Sequence, residues 1–85
     1  MITEYLNKGV CSHKTIVELD SDHTIIDIKI LGGCNGNLQG IAALLKGMKA
    51  EDAIERISNI RCGPRPTSCP DQVANALREA IKKAE

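Results

Sequence analysis

The chain has no tryptophan and no phenylalanine, and Tyr5 is the single aromatic residue among its 85. The large rings that dominate many small cores are therefore missing. Burial must come from Ile, Leu, Val and Ala, with each large aliphatic side chain contributing about 1.5 to 3 kcal/mol when fully covered. A net charge is missing too, since eleven basic side chains balance eleven acidic ones. That balance removes the electrostatic footprint of a nucleic-acid binder or of a protein held on an anionic membrane surface. No apolar run approaches the length needed to span a bilayer. The start, Met1-Ile2-Thr3-Glu4-Tyr5, has neither the basic region nor the apolar run of a signal peptide. The expectation is a cytoplasmic protein whose partners are neither nucleic acid nor membrane.

A chain of this length is expected to form one domain, residues 1–85, and to bury only roughly 60 to 65% of the surface its unfolded form exposes. Such a core is marginal, and a metal or a disulfide would support it. What the chain does have is four cysteines, Cys11, Cys34, Cys62 and Cys69. In a reducing compartment they argue for metal binding or redox chemistry over a permanent disulfide framework.

Two strand-like runs, Thr15 to Leu19 and Thr24 to Ile30, flank Asp20-Ser21-Asp22-His23 and predict a β-hairpin. In the second run the period of two places Ile26, Ile28 and Ile30 on one face and Asp27 and Lys29 on the other. Val17 and Leu19 join the buried face. The period then becomes helical: Leu38, Ile41, Ala42 and Leu45 predict a helix from about Asn37 to Lys46, stopped by Gly47. A second helix is expected from about Ala50 to Asn59, with Glu51 and Asp52 in its first turn. A third runs from about Pro70 to Lys83, its stripe formed by Val73, Ala76, Leu77, Ala80 and Ile81. The fold class is α+β, an antiparallel hairpin or small sheet packed against three helices.

On this outline Cys11 precedes the first strand, Cys34 lies in the turn Gly32-Gly33-Cys34-Asn35-Gly36 that opens a helix, Cys62 follows the second helix, and Cys69 takes the cap position of the third. Amide groups at a helix N-terminus stabilise thiolate over thiol, which singles out Cys34 and Cys69. Thiolates both bind metals and attack disulfides, so this placement serves either role. There is no Cys-x-x-Cys, and the spacing from Cys62 to Cys69 is wider than a usual zinc knuckle. A cysteine can also be a small buried hydrophobe, a reading that suits Cys62 best. His13 is either a further ligand or an exposed residue at a strand start, and His23 is expected to be a solvated turn residue. The glycine-rich turn lacks the ending of a P-loop, and no Ser-His-Asp set supports a hydrolase. Arg61 and Arg65 flank Cys62 and either favour its thiolate or are solvated.

Thr67-Ser68-Cys69-Pro70-Asp71 is the motif that names the TSCPD family, and the chain resembles the short stand-alone members of that family over essentially its whole length. Members are similar in carrying four cysteines, and the domain also occurs at the C-terminus of some adenosylcobalamin-dependent ribonucleotide reductases. The resemblance implies an accessory role linked to deoxyribonucleotide synthesis, with a ribonucleotide reductase or another redox protein as partner. Eighty-five residues leave no room for that enzyme's catalytic barrel. A more distant resemblance, to U-type iron-sulfur cluster scaffolds, follows the order Cys11, Gly33-Cys34-Asn35, Lys46-Gly47-Met48-Lys49, Glu51-Asp52-Ala53 and Cys69. It implies a reduced form of the scaffold fold. Ser12-His13 stands where the scaffolds place an acidic residue, and Cys62 is extra.

The expectation is a metal-binding module in which Cys11, Cys34, Cys62 and Cys69 hold zinc, with an iron-sulfur cluster as the alternative. Competing with it are a dithiol relay to a reductase partner and a docking subunit whose surface carries the function.

Overall fold

Six elements follow one another in the computed structural model: β1 (Ile2–Leu6), β2 (Ser12–Leu19), β3 (Ile25–Gly32), α1 (Asn35–Leu45), α2 (Ala50–Ile57) and α3 (Cys69–Ala84). The structure describes residues 2–9, 12–32, 35–60, 64 and 67–84, the side chains of 35–37 and 84 excepted. The strands form one antiparallel sheet in the order β1-β2-β3. This is the expected α+β class, with a strand more than the hairpin requires. Sequence pattern hides β1, because its apolar residues Ile2 and Leu6 are 66% and 68% exposed while Thr3, between them, is buried.

One face of the sheet carries the core. Thr3, Val17 and Ile28 lie in one row across the strands, and Tyr5, Thr15 and Ile30 in the next. Val17 and Thr15 are fully buried. Val17 and Ile28 share one core with Val73, Ala76, Leu77 and Ala80 of α3, Ala50 and Ala53 of α2, and Leu45 of α1. Four of these seven helical side chains are the single methyl groups of alanine, so the core is built without large rings. The helical stripes read from the sequence hold at Leu38, Leu45, Val73, Ala76, Leu77 and Ala80, all buried, while Ile41, Ile54, Ile57 and Ile81 pack partly buried around them.

Two β-bulges correct the strand reading. Leu19 pairs with Ile25 and Glu18 with Asp27, so Ile26 is the extra residue and the alternation shifts by one at that point. Ile25 is consequently buried and Ile26 is 48% exposed, whereas a uniform period of two places Ile26 inward. At the other end of the ladder Ser12 pairs with Gly32 and Lys14 with Leu31, which makes His13 the extra residue on β2.

The helix boundaries differ by one or two residues from those expected. Ser58 closes α2 by bonding the Ile54 carbonyl, and Asn59 turns left-handed with φ of 64°. Gly47, at φ 87°, ends the α1 segment as expected and donates its N–H to the Ile25 carbonyl, which ties α1 to β3. His23 sits in the predicted turn at φ 64° but is half-buried, with Nδ1 2.7 Å from Glu51 Oε2. It therefore links the hairpin to α2 and is not simply solvated. That contact, ahead of the α2 first-turn backbone, holds the Glu51 carboxyl below its ordinary range.

Candidate thiol site

Cys69 opens α3, and the residue before it is the cap. Ser68 Oγ accepts the Asp71 N–H at 3.2 Å and the Ser68 carbonyl accepts the Gln72 N–H at 2.9 Å, the pattern of an N-cap followed by the first intrahelical bond. The expected cap position of Cys69 is thus corrected by one residue. Pro70 lies in the first turn, where a missing N–H costs nothing. Asp71 Oδ2 accepts from the Thr67 hydroxyl, and Oδ1 accepts the Asn59 N–H at 2.7 Å, fixing the residues after α2 to the start of α3. These bonds, Thr67 first, with Asn59 and the positive charge of Arg78, hold the Asp71 carboxyl below its usual range.

Around the sulfur a directed chain of donors converges. The Thr15 hydroxyl donates to Asn7 Oδ1 at 2.9 Å, Asn7 Nδ2 donates to Ser12 Oγ at 2.7 Å, and Ser12 Oγ donates to Cys69 Sγ at 3.3 Å. Thr15 and Ser12 are buried and Cys69 is half-buried. Each donor in this series is itself polarised by the one before it. A second route pins the β1-β2 connection to α3: the Lys8 N–H donates to Gln72 Oε1 at 3.0 Å, and Gln72 Nε2 donates to Thr67 Oγ1 at 2.9 Å. Gly9, at φ 71°, faces the Thr67 methyl so closely that a β-carbon there would come to 3.3 Å.

Gly32 is the strand partner of Ser12 and stands at φ 85°. A β-carbon on it would lie 2.5 Å from His13 Cδ2, so the bulged, exposed His13 spreads its ring over a position that only glycine fits.

Of the four cysteines singled out by sequence, Cys69 is described; Cys11, Cys34 and Cys62 lie outside the described residues, as do Gly33, Arg61 and Arg65. Among the described residues no group of three His, Cys, Asp or Glu side chains is disposed to hold a metal ion. Described chain neighbours of two of those cysteines connect to Cys69 directly or through one partner. Ser12, next to Cys11, bonds its sulfur, and Gly32, two residues before Cys34, pairs with Ser12.

Every residue of the segment Thr67-Ser68-Cys69-Pro70-Asp71 thus has a task at the head of α3, and the model of the TSCPD domain matches residues 1–81. The chain belongs to the TSCPD domain family. The five residues that name this family form a helix cap that presents a thiol. Comparison with curated proteins and with solved structures gives no match. No helix among the described residues is long and apolar enough to cross a membrane.

Reasoning from the sequence missed Asn7, Ser12, Thr15 and Gln72. They are polar residues of unremarkable spacing: Thr15, Asn7 and Ser12 form the chain that ends on the thiol, and Gln72 joins the β1-β2 connection to the head of α3. Ser12, sitting next to Cys11, offered the one local signal.

Proposed function

We propose that this TSCPD domain is a metal-binding accessory module in which Cys69 shares a thiolate site with Cys11, Cys34 and Cys62. The observation that carries this reading is the hydrogen bond from Ser12 to Cys69 Sγ, on a residue whose chain neighbour is Cys11 and whose strand partner leads into Cys34. The donor set fits a soft metal. A half-buried sulfur that already accepts an O–H bond can keep that bond as a ligand, with Ser12 as its outer partner. Four thiolates complete the closed coordination of zinc, and an iron-sulfur cluster is the alternative occupant. Zinc held in this way supplies cross-linking stability to a small core. The family's association with ribonucleotide reductases suggests that the module serves such an enzyme, or another redox protein, as a non-catalytic partner.

The test is zinc and iron per chain by elemental analysis of untagged protein prepared without air and without added metal. About one zinc per chain is expected. Cys69→Ser and Cys34→Ser should each lose metal and thermal stability together, and Ser12→Ala should weaken metal affinity by about tenfold or more. Folded, metal-free protein would overturn the reading. If that protein also formed a reversible disulfide between Cys62 and Cys69, a dithiol relay would replace it.

A further inference from the structure

The face of the sheet turned away from the helical layer is an array of nine side chains in three rows, set by the strand register. Ile2, Glu18 and Asp27 form the first row. Glu4, Ile16 and Lys29 form the second, and Leu6, Lys14 and Leu31 the third. Ile2 and Leu6 are about two-thirds exposed and Leu31 is 45% exposed. The charges are of both signs and interspersed, so neither a strongly acidic nor a strongly basic partner is favoured.

We propose that this face binds a second copy of the chain, forming a two-fold dimer of sheet on sheet. When two identical faces meet, the symmetry axis lies in the plane between them, and four axes through the central Ile16 are to be considered. An axis along β2 sets Glu18 against Glu18 and Lys14 against Lys14. An axis across the strands sets Glu4 against Glu4 and Lys29 against Lys29. The diagonal through Ile2 and Leu31 sets Glu4 against Glu18 and Lys14 against Lys29. Each of these three opposes like charges.

The remaining diagonal, through Asp27, Ile16 and Leu6, matches. Ile2 meets the partner's Leu31, Ile16 and Leu6 each meet their own counterparts, Glu18 meets the partner's Lys29, and Glu4 meets the partner's Lys14. Asp27 faces its counterpart at the rim, where Lys46 Nζ already holds it at 3.1 Å. Glu4 and Lys14 already pair within one chain at 2.9 Å, so the dimer extends each such pair into a cluster of four alternating charges. The strands of the two sheets then cross at close to a right angle, one of the two standard modes of sheet packing. Steps of about 6.8 Å along a strand and about 4.8 Å across it differ by little enough for Lys and Glu side chains to span.

The face measures about 14 by 10 Å between backbone positions, which places the dimer at the small end of specific interfaces. It also lacks aromatic and arginine anchors. The dissociation constant should consequently be on the order of 10 μM, with dimer forming and dissociating across an accessible concentration range.

Sedimentation equilibrium from 1 μM to 1 mM tests this. Wild-type protein should pass from monomer to dimer, and monomer throughout would overturn the proposal. The double variant Glu4→Lys with Glu18→Lys, and separately Lys14→Glu with Lys29→Glu, should each raise the dissociation constant by about 100-fold or more. Mixing the two variants in equal amounts should restore dimer, since the contacts of residue 4 with residue 14 and of residue 18 with residue 29 are again opposite in sign. A dimer unaffected by either reversal would place the interface elsewhere and overturn the assignment. If a double variant fails to fold, the single variants Glu18→Lys and Lys29→Glu carry the same test, each weakening the dimer alone and restoring it when mixed.

Discussion

Thr3 carries its hydroxyl into the core, 2% exposed, with no hydrogen-bond partner for it among the described residues. A buried polar group left unpaired costs about 1 to 3 kcal/mol. Valine has nearly the same shape and suits a strand, so Thr3→Val should raise the urea midpoint and add about 1 kcal/mol of stability. Gly32 is constrained in the opposite sense. Gly32→Ala combines a left-handed φ with a clash against the His13 ring and should cost about 1 to 3 kcal/mol. Removing that ring as well, with His13→Ala, should recover part of the loss but leave the backbone strain; full recovery would show that φ carries no cost. At this scale the sequence exposed Cys69 by its chemistry. It did not expose Thr3 or Gly32, whose significance lies in what stands opposite them across the sheet.

At the scale of elements, the junction of α2 and α3 depends on one carboxylate. Asp71 ties Thr67 and Asn59 together, and its folded pKa lies below the unfolded value of about 3.9. A depressed carboxyl pKa stabilises the fold above the unfolded value, and that contribution is lost as pH falls through the folded pKa. Asp71→Ala should therefore cost about 1 to 2 kcal/mol at pH 7 and lose less further stability than wild type between pH 5 and pH 2. A parallel acid response in both proteins would defeat this. Asp20, Asp27 and Glu51 are held low as well, by the Thr24 N–H, by Lys46 and by His23 respectively, so the variant should still show their part of the transition. The three helices were legible because their stripes are long and periodic. The hairpin was legible through its turn, but not its bulges, since one inserted residue reverses the face of Ile26 without altering composition. β1 escaped notice because it turns its isoleucine and leucine outward.

For the whole molecule, composition pointed to a thin aliphatic core and periodicity to the α+β class, and the structure has that form. The motif in residues 67–71 placed the thiol at the head of a helix, one residue from where capping chemistry sets it. What composition could not convey is that the thiol site is built from parts far apart in the chain. Ser12 reaches Cys69 across 57 positions, and Lys8 reaches Gln72 across 64. No short stretch contains the closure, and a nascent chain that has not yet exposed Gln72 cannot assemble it. Synthesis therefore holds the sulfur apart from its donors until α3 has emerged.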